Sequence, residues 1–401
     1  MDSKNKRLKI INGKIITPYR IITNHTLCIE NGVITGIEPE PVSFNNALTI
    51  DAEGKYISPG FIDMHTHGAG GHDFMDGTLE AFLGATEMHA SHGTTSLVPT
   101  TLTSSIEELK HTLSLFREAS EKNNKGAQML GMHLEGPYFS LKQCGAQDPK
   151  FIHDPDPAEY EPIIRESNDI IRWSAAPELK GAMEFGRFMK KQGILPSIAH
   201  TDAIYEEVIE AFENGFTHVT HLYSAMSGVT RRNAFRYAGV IESALLIDEM
   251  TVEIIADGVH LPQSLLQLIY KIKGADKIAL VTDSMRAAGM PEGPSILGSL
   301  KAGQEIIVED GVAKLLDRTA FAGSVATADR LVRTMVNIAG VNLIEAIRMI
   351  TSTPARICGI SDKKGSIAIE KQADIVIFDE SINIATTIIN GNIIYSRQYT
   401  E

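Results

Sequence analysis

The sequence predicts an α/β protein, a (β/α)8 TIM barrel with a small β-sandwich domain built from both chain termini. Two observations support this prediction: the middle of the chain alternates short apolar runs with amphipathic stretches of helical period, and both ends carry short β-branched runs. A doubly wound sheet is disfavoured because no GxGxxG motif follows any of the apolar runs. We expect the sandwich in residues 1–57 and 361–401 and the barrel in residues 58–360.

The two ends of the chain have the same sequence pattern, short β-branched runs separated by turns. Residues 8–57 contain LKIINGKIIT, HTLCIENGVITGIEP and LTIDAEGKYISPG, whose β-branched runs are interrupted by NG and EG turns. Residues 366–397 repeat the pattern in SIAIEKQADIVIFD and TTIINGNIIYS. The sequence therefore predicts that strands from both termini pair in one small domain.

Eight apolar runs in the middle of the chain are predicted to be the barrel strands. They are FIDMHTH (61–67), TTSLVPT (94–100), QMLGMHLE (128–135), IRWSAAPE (171–178), ILPSIAHT (194–201), FTHVTHL (216–222), TVEIIAD (251–257) and KIALVTD (277–283). The active site of such a barrel lies at the carboxyl ends of its strands. The side chains at or just after these ends are His65, His67, Glu135, Glu178, His200, His221, Asp257, His260 and Asp283.

The first of these runs ends in two histidines, His65 and His67, in PGFIDMHTHG. Side chains at i and i+2 of a strand point to the same face, so the two imidazoles project together. The alternative is that His65 and His67 are an ordinary polar pair at a strand end. It is disfavoured because a random distribution of the 13 histidines of the chain would not place so many of them at strand ends. Histidine and carboxylate ligands without a thiolate favour a divalent metal, zinc or iron.

The composition limits the partners and the compartment. A net charge of -13 argues against a nucleic-acid surface and against a polybasic membrane anchor. The three cysteines, Cys28, Cys144 and Cys358, are far apart and form no CxxC motif, which is typical of a reducing compartment. The N-terminal residues lack the apolar core of a signal peptide, and no run is long enough to span a membrane. We expect a cytoplasmic protein.

PGFIDMHTHG and the strand-end pattern of His and Asp resemble the amidohydrolase superfamily. The segments GMHLEGPYFS, SIAHTDA, THLYSAMSG, ADGVH and LVTDSM, between residues 131 and 285, are similar to its N-acetylglucosamine-6-phosphate deacetylase family. The resemblance implies a metal site formed by Glu135, His200 and His221. Some family members hold a second metal through the HxH pair, so His65 and His67 imply one or two ions, bridged in the second case by Glu135.

The same resemblance implies roles for further residues. Asp283 matches the catalytic acid/base, and one carboxylate can both take a proton from water and deliver it to the leaving amine. Arg232 matches an arginine that reaches the substrate phosphate from a neighbouring subunit, which implies a homodimer. The other implied substrate contacts are Ala146, Gln147, Ser224, Ala225, His260, Phe321, Ala322 and Gly323.

Three segments depart from the family pattern. CGAQ replaces KGAH, which puts Gln147 in place of a substrate-contacting histidine, and THLYSAM puts Ser224 in place of an asparagine. RRNAFRYAG replaces REPG, so Arg231 and Arg236 remain alternatives to Arg232. The amino sugar that is bound therefore stays open.

The predicted function is deacetylation of N-acetyl-D-glucosamine 6-phosphate. The alternatives are an epimeric substrate such as N-acetylgalactosamine 6-phosphate, another amidohydrolase acting on an N-acyl or cyclic amide, and a catalytically inactive barrel kept as a scaffold. Serine catalysis is disfavoured because no GxSxG elbow occurs. Among the remaining polar residues, His133 is expected to support the site rather than bind metal, and His218 to be structural. Glu178 and Asp257 are left between those two roles.

Overall fold

A computed structural model describes residues 6–397 of the chain. Strands from both termini form two sheets that share one apolar cluster, to which Ile10 and Leu27 contribute from the first sheet and Ile57, Ile375 and Ile388 from the second. The first sheet has the order Val33–Pro39, His25–Glu30, Arg7–Ile11, Leu48–Asp51. The second has the order Asn392–Ser396, Ile384–Ile389, Ile375–Phe378, Tyr56–Pro59, Lys14–Ile16, Ile21–Ile22.

Pairing between the two ends of the chain occurs in the second of these sheets. Tyr56–Pro59 runs antiparallel to Ile375–Phe378, with Ile57 opposite Ile377. The expected boundary at residue 58 falls inside the strand Tyr56–Pro59. The chain therefore leaves the terminal sheets two residues before the first central strand begins at Phe61.

Each of the eight predicted central runs contains a strand, and neighbouring strands pair in parallel. Isolated parallel bridges between Thr100 and His133 and between Thr66 and Ser284 link the ends of the two parallel sheets. This is the parallel arrangement of a TIM-like barrel. The eight strands, of which the third is split, are Phe61–Thr66, Thr94–Pro99, Gln128–Met129 with Met132–Glu135, Ile170–Ala175, Leu195–Ile198, His218–Val219, Thr251–Ile254 and Ile278–Leu280.

The helices surround these strands and begin at residues suited to capping. Ser105 accepts a hydrogen bond from the Glu108 amide, and Asp156 accepts one from Ala158 with Pro157 in the first helical turn. The α-helices are Leu79–Ser91, Ile106–Lys122, Pro157–Glu166, Ala182–Lys191, Tyr205–Glu213, Val240–Leu246, Gln263–Lys273, Ala328–Asn337, Leu343–Ile350 and Ser352–Ile357. Short 3-10 helices cover Phe74–Asp76, Leu141–Gln143 and Pro149–Phe151. Among residues 6–397, no helix combines the length and apolar character needed to cross a membrane.

Two antiparallel insertions after barrel strands were not among the sequence predictions. One is a three-stranded sheet of Gly293–Leu297, Gln304–Glu309 and Val312–Leu315. The other is an exposed hairpin of Thr230–Arg232 and Phe235–Tyr237. Two further short strands, Gly68–Ala69 and His72–Asp73, pair next to the end of the first barrel strand. All three features lie in segments that follow barrel strands, where a barrel places its substrate-binding loops.

Candidate metal centre and substrate cavity

Six side chains from five barrel strands converge in one buried group, which we call the mouth cluster: His65, His67, Glu135, His200, His221 and Asp283. Glu135 is at its centre. Its Oε1 lies 3.0 Å from His221 Nε2, 3.5 Å from His200 Nε2 and 3.6 Å from His65 Nε2, and its Oε2 lies 3.3 Å from His67 Nε2. The structure therefore brings together all five predicted metal ligands and the predicted acid/base.

Three members of the mouth cluster follow the end of a strand in a left-handed backbone conformation. The φ angles are 44° at His200, 26° at His221 and 47° at Asp283. Non-glycine residues rarely adopt this region, and such conformations concentrate at functional sites. The surrounding backbone fixes these turns: the Asp283 amide donates to His65 O at 2.9 Å, and the Ser324 amide donates to Asp283 O at 2.7 Å.

Hydrogen bonds at the far side of the imidazoles orient their Nε2 atoms towards Glu135. Nδ1 of His67 lies 3.2 Å from the carbonyl oxygen of Thr100, and Nδ1 of His200 lies 2.9 Å from that of Gln143. Because a carbonyl only accepts, each Nδ1 carries a proton, and in the neutral imidazole each Nε2 presents the lone pair. This is the usual support of histidines that bind a metal.

The distances within the mouth cluster fit a divalent cation. Four ligands at about 2.0–2.1 Å around a tetrahedral ion are separated from one another by about 3.3 Å. The five Glu135 and Asp283 contacts to the Nε2 atoms of His65, His67 and His200 range from 3.2 to 3.6 Å, longer than most hydrogen bonds. Buried His65 Nε2 and His221 Nδ1 have no hydrogen-bond partner in the described part of the chain. The donor set, histidine nitrogen and carboxylate oxygen, suits zinc or iron.

The electrostatics of the mouth cluster also favour a cation. Burial alone would lower the pKa of His67, but the Asp283 and Glu135 carboxylates outweigh it and raise that pKa well above its usual value. Burial likewise opposes ionisation of Asp283, yet its pKa is lowered by the charge of His65 and the hydrogen bond from His67. Asp283 is therefore a carboxylate, with Oδ1 3.2 Å from His67 Nε2 and 3.4 Å from His65 Nε2.

Beneath the mouth cluster lies a second buried group, the deep cluster, formed by Arg172, Ser197, His218, Thr220 and Glu253. The Arg172 guanidinium forms an ion pair with Glu253 and also donates to Ser197 Oγ at 2.9 Å and Thr220 Oγ1 at 2.6 Å. Burial would raise the pKa of Glu253, but Arg172 and the hydrogen bonds from two histidines hold it well below its usual value. The deep cluster thus contains a compensated pair of charges.

A cavity of about 350 Å³ opens above the mouth cluster. His260 is fixed in its wall by a 2.8 Å contact between Nδ1 and Asp257 Oδ2, and its ring lies 4.6 Å from that of Phe321. Of the predicted site residues, those that line this cavity are His67, Glu135, Ala146, Gln147, His200, His221, Ser224, Ala225, His260, Asp283, Phe321 and Gly323. The combination of ionised carboxylates, a fixed histidine and the aromatic rings of Tyr223 and Phe321 suits a small polar substrate.

Three predicted residues do not line the cavity. His65 lies below it, fully buried within the mouth cluster. Ala322 is also fully buried and packs in an apolar cluster with Met285 and Ala313, so its side chain does not face the cavity. Arg232 lies on the exposed hairpin, where its guanidinium is 5.4 Å from the Tyr237 ring centre. Arg231 and Arg236 lie opposite each other on the same hairpin.

Gln147 reaches the cavity wall, but both polar atoms of its amide are engaged within the protein. Its Oε1 accepts from the Thr103 amide at 2.8 Å, which fixes the orientation of the side-chain amide. Its Nε2 therefore faces Glu135 and donates to Oε2 at 2.8 Å. The contact that the structure shows for Gln147 is with the central carboxylate, not with the open cavity.

His133, expected to support the site, and Glu178, whose role was open, both contact neighbouring groups and do not line the cavity. His133 Nε2 lies 2.7 Å from Ser174 Oγ and outside both groups of possible metal ligands. Glu178 accepts from the Thr201 hydroxyl and the Asp202 amide, so it holds the loop that carries His200.

Glu253 and Arg172 were not singled out from the sequence. Both are charged residues inside otherwise apolar runs, TVEIIAD and IIRWSAA. Barrel strands are buried, and buried charges are rarely found without a partner. That pattern is the signal by which the pair could have been found.

Comparisons with known proteins agree with this arrangement. The profile of the Amidohydrolase family matches residues 56–394. The chain is 33% identical to the N-acetylglucosamine-6-phosphate deacetylase of Bacillus subtilis (strain 168), with 95% of each chain covered. It is 32% identical to the N-acetylgalactosamine-6-phosphate deacetylase of Escherichia coli O157:H7, over 95% of this chain and 97% of that one.

The likeness extends to a solved structure. The crystal structure of the N-acetylglucosamine-6-phosphate deacetylase from Pasteurella multocida superposes with a TM-score of 0.91 at 28% identity, covering 98% of this chain and all of that one. The resemblance inferred from PGFIDMHTHG and the strand-end residues is confirmed: the chain belongs to the amidohydrolase family.

Proposed function

We propose that this protein is a metal-dependent deacetylase that converts N-acetyl-D-glucosamine 6-phosphate to D-glucosamine 6-phosphate and acetate. The observation that carries the proposal is the convergence of Glu135, His200 and His221, together with that of His65 and His67 on the same carboxylate. The names of relatives that align over almost the whole chain support the substrate. Two ligand groups that share Glu135 can hold one or two ions.

In this proposal the metal is held by the mouth cluster and the chemistry is divided among residues of the chain. A divalent ion bound there supplies a Lewis acid and activates water near neutral pH. Asp283, already ionised, accepts the proton of the attacking water and delivers it to the amide nitrogen, so that the amine can leave. His260, held by Asp257, presents its other ring nitrogen to the substrate from the cavity wall. Gln147 fixes the orientation of Glu135.

The phosphate end of the substrate is proposed to lie at Ser224 and Ala225, which line the cavity, while Gly323 and Phe321 close the opposite side. The hairpin that carries Arg232 is exposed, and Phe235 on it is 73% exposed. We propose that this hairpin packs on a second copy of the chain and that Arg232 reaches the phosphate in that copy. A guanidinium fork matches the geometry and charge of a phosphate.

The domain organisation is part of the same proposal: a (β/α)8 barrel in residues 58–360 and a β-sandwich formed by residues 1–57 and 361–401. The cytoplasm is the proposed location, since the three cysteines are free and the substrate is a phosphorylated sugar.

The test is acetate release by the purified protein from N-acetylglucosamine 6-phosphate, with and without a chelator. Acetate release that the chelator abolishes and added zinc or iron restores is the expected result. Release that persists after complete metal removal would contradict the metal-dependent mechanism. The absence of release with either metal would contradict the function.

N-acetylgalactosamine 6-phosphate is the second candidate substrate. The observation that favours it is the 32% identity to the Escherichia coli O157:H7 enzyme named for that sugar. The two sugars differ at one hydroxyl, so the ratio of their kcat/KM values in the same assay decides between them. A higher kcat/KM for the galactosamine derivative would reassign the substrate and leave the chemistry unchanged.

A further inference from the structure

His65 differs from the other histidines of the mouth cluster in the group that holds its far nitrogen. His67 and His200 contact backbone carbonyls through Nδ1, but His65 Nδ1 contacts a carboxylate, Glu253 Oε2, at 3.1 Å. The same oxygen lies 3.3 Å from the backbone amide of His221. Glu253 thus touches two members of the mouth cluster without lining the cavity.

The other oxygen of Glu253 faces Arg172. The guanidinium also donates to the carbonyl oxygen of Met64 at 3.3 Å, so it is held in place from several sides. Glu253 is fully buried and Arg172 is 2% exposed. A guanidinium can only donate hydrogen bonds, so the atom of Glu253 that faces Arg172 must be an acceptor.

The proton on His65 follows from these contacts. An ionised carboxylate only accepts, so Nδ1 of His65 carries a proton, and in the neutral imidazole Nε2 carries the lone pair. That Nε2 has no hydrogen-bond partner within residues 6–397 and lies 3.6 Å from Glu135 Oε1 and 3.4 Å from Asp283 Oδ1. It is therefore directed at the point where a shared ion would be bound.

We propose that Glu253 is a positioning residue that fixes His65 in its metal-binding tautomer, and that Arg172 in turn fixes the acceptor orientation of Glu253. This inference rests on the metal centre of the proposed function, but not on the identity of the substrate. It makes the deep cluster part of the active site, although none of its members contacts the substrate cavity.

The substitution Glu253→Gln tests the proposal because an amide has one acceptor and one donor. The charged Arg172 requires the acceptor more strongly than the neutral backbone amide of His221, whose contact is 3.3 Å long, so the amide oxygen faces the guanidinium and the amide NH2 faces His65. His65 Nδ1 then becomes an acceptor, and its proton moves to Nε2, which cannot bind a metal while protonated. In the double variant with Arg172→Met, the guanidinium donor is gone, so the amide oxygen no longer has to face residue 172. The amide can then turn its oxygen back towards His65.

The experiment uses metal-free protein with ¹⁵N-labelled histidine, read by NMR, followed by calorimetric titration with zinc alone. His65→Ala identifies the His65 signals and the share of zinc binding that depends on this ligand. We expect an Nδ1–H tautomer in the wild type and an Nε2–H tautomer in Glu253→Gln. Zinc affinity at the His65-dependent site should fall by about 10- to 100-fold in Glu253→Gln, the usual effect of removing a hydrogen-bond partner of a metal-binding histidine. The double variant should recover the tautomer and most of the affinity.

A wild-type His65 with its proton on Nε2 would overturn the proposal even if no variant folds. So would an unchanged tautomer or unchanged zinc affinity in Glu253→Gln, a double variant without recovery, or a His65→Ala protein that binds zinc like the wild type. No sugar is present in these measurements, so a wrong substrate in the proposed function would leave their outcome unaffected.

Discussion

The mouth cluster and the deep cluster are both buried and both charged, yet their contacts differ in kind. In the deep cluster, Arg172 makes contacts of 2.6 and 2.9 Å to hydroxyl groups and pairs with Glu253, and one contact is long, 3.4 Å between His218 Nε2 and Glu253 Oε1. In the mouth cluster, histidine nitrogens face carboxylate oxygens at 3.2–3.6 Å in all but one contact, the 3.0 Å contact of His221. Short contacts between complementary groups form a scaffold. Long contacts between nitrogen and oxygen atoms that point at a common centre form a site for a cation.

The largest expected effect comes from removing the central ligand of the mouth cluster. Glu135→Gln should lower kcat/KM for the proposed substrate by about 10⁴-fold or more, because the loss of metal removes several kcal/mol of stabilisation of the transition state. The metal content of the purified variant should fall with it. Glu309→Gln, at a partly exposed ion pair with Arg318, is the matched control and should keep both. A Glu135 variant with full metal content would show that the long contacts do not mark the ion.

The next largest effect is expected at Asp283, where a substitution should lower activity without removing the metal. Asp283→Asn should lower kcat by about 10²- to 10⁴-fold, the range for a general acid/base, because the amide cannot accept the proton from water. Metal content, measured by elemental analysis, should stay close to that of the wild type. A variant that keeps most of its activity would show that a group other than Asp283 transfers the proton.

A substitution in the deep cluster should lower the free energy of unfolding rather than impair proton transfer. Arg172→Met leaves Glu253 buried without its partner, which should cost about 3–5 kcal/mol of unfolding free energy. Arg318→Met is the control, because its partner Glu309 lies at the surface, and exposed pairs are worth at most about 1 kcal/mol. The measurement is chemical denaturation of both metal-free variants. Equal losses would mean that the deep cluster is no more than a surface-like ion pair.

The smallest effect is expected at a buried carboxylate outside both clusters. Burial would raise the pKa of Asp329, but the hydrogen bond and charge of His92 and the charge of Arg333 lower it to about 2. The stability that this group contributes is present above its unfolded pKa and is lost as pH falls through about 2, in total about 2 kcal/mol. Denaturation of metal-free protein from pH 5 to pH 2.5 should therefore show Asp329→Asn converging on the wild type as pH falls. A constant difference would contradict the shift, and Asp310→Asn at the surface should show a smaller change.

Much of the site could be predicted from the sequence because a barrel converts strand ends into neighbours. His65, Glu135, His200, His221 and Asp283 are far apart along the chain, and each follows or ends an apolar run. Their convergence needs only the order of the strands and the rule that barrel sites lie at carboxyl ends. The left-handed turns at three of these residues could not be predicted, since their backbone is fixed by loops from elsewhere in the chain.

The sequence was less informative where a role depends on a specific tertiary partner. Glu253 has a function only because Arg172 and His65 lie opposite its two oxygens, and strand periodicity does not identify such partners. Gln147, which the resemblance places at the substrate, lines the cavity, and its amide also contacts Thr103 and Glu135, partners that the sequence does not identify. The sheet after the eighth barrel strand has a local sequence signal, the dipeptide Asp310-Gly311, which favours a tight hairpin turn. The φ angles of these residues, 56° and 70°, suit such a turn.

The most direct test of the account is to locate the metal itself. Crystals of the protein grown with zinc and measured on both sides of the zinc absorption edge should show an anomalous peak within about 2.0–2.2 Å of Glu135, His200 and His221. The same contacts that are now 3.0 and 3.5 Å between Glu135 and these histidines would then be separations between ligands of one ion. Zinc bound elsewhere, with the mouth cluster free of anomalous signal, would contradict the central claim.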